Sequence, residues 1–153
     1  LHGNAIVLLR DWTHIIAFVQ YFDSPVGPYL ERAEATLARG SKYFGPHITR
    51  MDVTLEASMR EGRRIWGYPK TLRSIEWQRR DSHLNIESDG VWRFRLASWS
   101  FPVAFAGWTW QTREEEVKVP CRLNGKARFA WRGRQLALWV EDFTMEVQSP
   151  SSL

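Results

Sequence analysis

At 153 residues, 44% hydrophobic and 14% aromatic with nine tryptophans, the chain has enough apolar surface for one folded domain with a real core, which excludes intrinsic disorder. Its formal charge of +4 is scattered, and the densest basic stretch (Arg60, Arg63, Arg64) is interrupted by Glu61, so no nucleic-acid partner is expected. No apolar run reaches bilayer-spanning length and no leader pattern opens the chain, while a lone Cys121 excludes an internal disulfide; the expectation is a cytoplasmic protein with no membrane partner.

The elements follow in chain order. Ala5 to Leu9 and Ile15 to Phe22 are apolar, strand-like runs. Leu30 to Arg39 carries helix-favouring Ala, Leu, Glu and Arg, yet it directly follows the turn-rich Asp23-Ser24-Pro25-Val26-Gly27-Pro28, and a strand is the preferred reading. Ile48 to Glu56 alternates with Met51, Val53 and Leu55 on one face. Ser58 and Glu61 then form a capping-box pattern for a helix from Met59 to Trp66, which Gly67 stops and Tyr68-Pro69 turns into extended chain. Ile75 to Arg80 and Leu84 to Glu87 make a hairpin pair. After the Asp89-Gly90 turn, Val91 to Ala97 places Trp92, Phe94 and Leu96 opposite Arg93 and Arg95. Asn124-Gly125 and Arg132-Gly133 are further turn signals separating Val117–Val119, Ala127–Trp131 and Leu136–Phe143. Many short strands joined by tight turns predict a sandwich or barrel in a single domain spanning 1–153; Leu1 is not an initiator methionine, so an N-terminal segment can precede it.

Most common chemistries find no residues here. His2, His14, His47 and His83 show no ligand spacing, and with one cysteine a metal site is not expected. There is no phosphate loop, dinucleotide fingerprint or nucleophile elbow. Cys121 reads as a small buried hydrophobe and Trp108 and Trp110 as core or barrel lining. What stands out is Lys70. Lys42, Lys70, Lys118 and Lys126 are the only lysines in an arginine-rich chain, and Lys70 alone follows a rigid Tyr-Pro step. An arginine does not serve as an amine nucleophile, whereas a lysine does when its surroundings favour the neutral amine. A lysine of ordinary pKa near 10.4 is neutral in about one molecule in two thousand at pH 7, and lowering that value to about 7 gains roughly a thousandfold.

Several blocks taken together resemble the acetoacetate decarboxylase superfamily. They are Asp23-Ser24-Pro25-Val26-Gly27-Pro28-Tyr29 with Glu31, then Ile48-Thr49-Arg50, and Gly62-Arg63-Arg64 leading through Trp66 to Gly67-Tyr68-Pro69-Lys70. Leu123-Asn124-Gly125-Lys126-Ala127-Arg128 and Val140-Glu141-Asp142-Phe143-Thr144 are similar to blocks of its smaller members. The likeness runs in order from Val19 to Val147, and Gly-Tyr-Pro-Lys is its most specific part. It implies a mainly β fold of the α+β class, an antiparallel barrel with one or two short helices and an apolar pocket, usually in homo-oligomers. It further implies a Schiff base between Lys70 and a substrate ketone, with the protonated imine as electron sink, so that no metal or organic cofactor is required. Glu31 matches the pocket acid that orients substrate or moves protons. Tyr29, Trp66, Tyr68 and Arg64 are the remaining pocket candidates.

Thr71 stands where the decarboxylase proper carries a second lysine, and Arg64 or Arg73 would have to supply that cation. The expected function is therefore a Schiff-base-forming lyase-type enzyme for a keto acid or related carbonyl compound, working as a decarboxylase or by aldol or dehydration chemistry. The alternative is a non-catalytic barrel that binds a small apolar carbonyl or lipid-like ligand.

Overall fold

The computed structural model describes residues 1–150. In chain order the elements are β1 (His2–Asp11), β2 (His14–Asp23), β3 (Tyr29–Arg39), β4 (Phe44–Val53), α1 (Glu56–Trp66), β5 (Lys70–Leu72), β6 (Glu76–Arg80), β7 (His83–Glu87), β8 (Val91–Leu96), β9 (Phe101–Thr112), β10 (Glu116–Arg132) and β11 (Gln135–Val147). Strands β1, β2, β3, β4, β9, β10 and β11 pair in that order and β11 returns to β1, closing a seven-stranded barrel. Its ladders are antiparallel except at one seam, where β4 meets β9 through a single parallel bridge, His47 to Trp110. Short β5 adds to β4 in parallel, and β6–β7–β8 is an antiparallel meander branching from β10 through β8. The expected mainly β barrel with a short helix is the fold found, and Leu30–Arg39 lies within a strand.

The meander folds across the outside of the barrel wall, and this explains the apolar runs at Ala5–Leu9 and Ile15–Phe22. A strand covered on both faces loses its polar alternation. Ile6, Leu8, Ile16, Phe18 and Trp139 face outward and pack with Leu84, Ile86, Phe94 and Leu96 of the meander. Each such side chain contributes roughly 1.5–3 kcal/mol by burial. The alternate residues Ala5, Val7, Ala17 and Val19 face the barrel interior. On β3 the same period sends Tyr29 and Glu31 inward. Arg32 goes outward, where its guanidinium lies 5.1 Å from the Trp92 ring and donates to the Ser88 carbonyl at 2.7 Å.

Two local expectations are corrected. Asn124-Gly125 is not a turn: β10 passes straight through it, pairing Asn124 with Ala104 and Gly125 with Val103 on β9. The irregularity lies across the ladder in β11, where Asp142 takes φ 47° and forms a bulge against both β1 and β10. Gly125 serves that close approach, since a Cβ there would sit 2.9 Å from a Val140 methyl. Arg132-Gly133 does open a tight hairpin turn, with Gly133 at φ 58°.

The capping box is the second correction. Helix α1 starts at Glu56 with Leu55 at the N-cap and no side-chain cap, so Ser58 lies inside the first turn. Its hydroxyl meets Lys70 instead, while Glu61 pairs with Arg64. The helix does stop at Gly67, as expected. That residue takes φ 71°, its amide donates to the Arg63 carbonyl, and the Tyr68 amide donates to the Gly62 carbonyl.

Candidate active site

The barrel interior holds a cavity of about 540 Å3, walled mainly by apolar side chains such as Val19, Met51, Val119, Leu123 and Phe143. Helix α1 lies along it, presenting Ser58, Gly62, Ile65 and Trp66, residues spaced i, i+4, i+7 and i+8 that share one helical face. Lys70 opens β5 beside Met51 of β4, and Glu31 of β3 pairs with Val53 of β4. The two charged residues thus stand on either side of β4, roughly 10 Å apart by strand spacing. Their long side chains cross over β4 to meet.

At the meeting point Lys70 Nζ lies 3.3 Å from Glu31 Oε2 and donates to Ser58 Oγ at 2.9 Å. Lys70 and Glu31 are only 5% and 6% exposed. The Tyr29 ring centroid is 5.4 Å from Nζ, and Tyr21 donates its hydroxyl to Glu31 Oε1 across 3.5 Å. Burial, reinforced by the Glu31 charge, pushes the Tyr21 and Tyr29 phenols well above their ordinary range. Burial likewise raises Tyr68, whose hydroxyl shares a hydrogen bond with Thr109. These phenols are neutral hydrogen-bonding groups, not bases. Cys121, expected as a small buried hydrophobe, is half-buried in the cavity wall, and desolvation raises its thiol pKa.

Lys70, Glu31, Tyr29, Trp66 and Tyr68 therefore line one cavity, and Arg64 does not. Its side chain is 69% exposed and paired with Glu61 at 2.6 Å. The reason is helical geometry: two residues past Gly62 is a rotation of about 200°, onto the opposite face. Arg73 is also engaged elsewhere, with Asp52 and Asp89. Thr71 is exposed. Sequence reasoning missed Ser58, Gly62 and Tyr21. Ser58 and Gly62 carried a usable signal, their i, i+4 spacing ahead of the Ile65-Trp66 pair. Tyr21 was hidden inside an apolar run. Among the described residues no three His, Cys, Asp or Glu side chains converge as a metal cluster, and no helix is long and apolar enough to cross a membrane.

No family model matches the sequence, and no curated protein matches it either. In three dimensions the chain is similar to the crystal structure of acetoacetate decarboxylase from Legionella pneumophila subsp. pneumophila str. Philadelphia 1. The TM-score is 0.62 with 11% identity over 99% of this chain and 86% of that one. A second acetoacetate decarboxylase structure gives a TM-score of 0.52 with 10% identity over 99% and 89% of the two chains. At such identities the likeness is one of architecture, and the fold is an acetoacetate decarboxylase-like barrel.

Proposed function

We propose that the protein is a lyase-type enzyme that forms a Schiff base between Lys70 and a carbonyl substrate. The observation that carries this reading is the buried Lys70 amine on the wall of an apolar cavity, 3.3 Å from a buried carboxylate. Passing one proton from Lys70 to Glu31 frees the amine lone pair for attack on the carbonyl carbon. The carbinolamine then loses water, and the resulting iminium draws electrons from a bond at the neighbouring carbon. Glu31 sits where a proton must be taken or returned, and the Ser58 hydroxyl holds Nζ in place. Decarboxylation, retro-aldol cleavage and dehydration all proceed from that iminium.

Borohydride reduction in the presence of ketones tests the proposal. A mass increment on the peptide containing Lys70, absent from Lys70→Ala, is the expected result. The second reading, a non-catalytic binding barrel, draws on the apolar walls and on the exposed Thr71. It replaces the first if apolar ligands bind while no ketone leaves a mass on Lys70.

A further inference from the structure

The charges around the cavity narrow the class of substrate. Among the described residues, the charged side chains that line it are Lys70, Glu31 and Glu61. Lys70 is the nucleophile in the proposed chemistry, so among the described residues no further cationic side chain lines the cavity to receive a substrate carboxylate. The nearby guanidinium groups are all engaged elsewhere. Arg63 donates to the Lys70 carbonyl at 2.7 Å, and Arg64 holds Glu61. Arg113 donates to the carbonyls of Arg64 and Ile65 at the end of α1, and Arg73 pairs with Asp52 and Asp89.

In a β-keto acid the carboxylate is two bonds from the carbon that Lys70 attacks. It would have to settle beside Glu31, a second carboxylate, against apolar walls. The single iminium cation on Lys70 cannot balance both carboxylates, and the surplus negative charge is strongly disfavoured in a dry site. The volume argues in the same direction: about 540 Å3 falls within the range of roughly 300–1,000 Å3 typical of sites for drug-sized molecules. A four-carbon substrate would leave most of that apolar space unfilled.

We infer that the site takes an uncharged ketone or aldehyde bearing an apolar chain or ring, not a keto acid; this rests on the Schiff-base reading above. Neutral Lys70 adds to the carbonyl, and Glu31, holding the proton taken from Lys70, returns it to the departing hydroxyl, so that water leaves, the iminium forms and Glu31 is again a carboxylate. The Glu31 carboxylate then removes a proton from the α-carbon of the iminium. The C–H electron pair becomes the enamine double bond and the iminium π pair returns to nitrogen, leaving Glu31 protonated. Reprotonation and hydrolysis restore ketone and amine, so no further reactant is consumed. In D2O the cycle places deuterium at the α-carbon.

The test compares three matched probes: 2-octanone, methyl 3-oxononanoate and 3-oxononanoate, the last carrying a carboxylate where the ester is neutral. For each, the concentration giving half-maximal reduced adduct on Lys70 is measured, and deuterium uptake into 2-octanone is followed by NMR. The expected result is that both neutral probes label Lys70 at concentrations at least about tenfold below the acid, the scale on which one unpaired buried charge acts. Deuterium uptake should depend on Glu31 and vanish in Glu31→Gln. Labelling by the acid at equal or lower concentration, or sustained carbon dioxide release from it, overturns the inference while leaving the Schiff base intact. Failure of all three probes to label Lys70 overturns the Schiff-base reading itself, and the inference with it.

Discussion

At the scale of single residues, Lys70 reaches its partners because position 62 has no side chain. A Cβ on Gly62 would lie 2.5 Å from both Cδ and Cε of Lys70, too close for either to stay. A glycine inside a helix costs about 1 kcal/mol relative to alanine, so this one is retained against local preference. Gly62→Ala should therefore separate stability from chemistry. The helix gains up to about 1 kcal/mol while Lys70 is displaced from Ser58 and Glu31, so the thermal midpoint should move by only a few degrees. Ketone labelling of Lys70 should fall tenfold or more, on the order of a 1.4 kcal/mol loss. Unchanged labelling would show that the Lys70–Ser58–Glu31 geometry does not matter for imine formation. The sequence exposed this pair unevenly. Lys70 is visible as a rare lysine behind Tyr-Pro, whereas Glu31 was marked only by the family resemblance, and its inward phase on β3 is shown by the structure. Arg64 was misplaced because closeness to Gly62 and Trp66 in sequence does not show the helical face, and rotation carries both Arg63 and Arg64 away from the cavity.

At the scale of elements, the weak point of the barrel is the seam between β4 and β9, and side chains stitch it where the backbone ladder does not. The Trp110 indole donates to the Gly45 carbonyl at 3.1 Å, and Gln111 donates to Ile48 at 3.3 Å. Glu116, at the start of β10, accepts the amides of Ser41, Lys42 and Tyr43 at 2.5, 2.6 and 3.2 Å. Its carboxylate occupies the space where a Cβ on Gly40 would be. Chiefly through the Lys42 amide, these bonds hold the Glu116 pKa below its ordinary 4.5, against a smaller opposing effect of burial. A value lower in the folded than in the unfolded chain means that stabilisation is complete above the unfolded value and is lost as pH falls through the folded one. Glu116→Gln should thus melt below the wild type above about pH 5.5, and the two curves should converge in acid. Hydrogen exchange at residues 41–43 should quicken in the variant at neutral pH; a constant gap in melting temperature across the whole pH range would contradict this. Such tertiary stitching is invisible in sequence, where Glu116 is one of three adjacent glutamates. Two further misreadings have the same origin. Asn124-Gly125 has turn chemistry but is held straight by pairing on both sides, and Ser58 fits a capping box but lies one turn too deep and faces the cavity.

At the scale of the molecule, folding stability and the candidate site sit on opposite faces of the same strands. The dense core lies outside the barrel, between its wall and the β6–β8 meander, and contains Trp139, Phe18, Ile6 and Leu84, none exposed by more than 1%. The barrel interior holds the cavity, bordered by two smaller buried clusters around Tyr21 and Phe143 and around Met51 and Val53, and its unfilled space costs dispersion contacts that a packed protein would recover. A chain arranged this way holds its cavity open with stability drawn from the other core, and substitutions on the two faces should then have opposite effects. Leu84→Ala, behind the meander, should cost about 2–5 kcal/mol and lower the thermal midpoint by roughly 5–20 °C. The protein that remains folded should still label with ketone at Lys70. Ala17→Leu, pointing into the cavity from β2, adds apolar contacts in open space and should leave the midpoint unchanged or raise it. It should also exclude the ketones that label the wild type. If Ala17→Leu instead lowers stability as a core overpacking would, the cavity is not open in solution. In that case Lys70 and Glu31 form a buried structural ion pair, and the chemistry proposed for them has no room to occur.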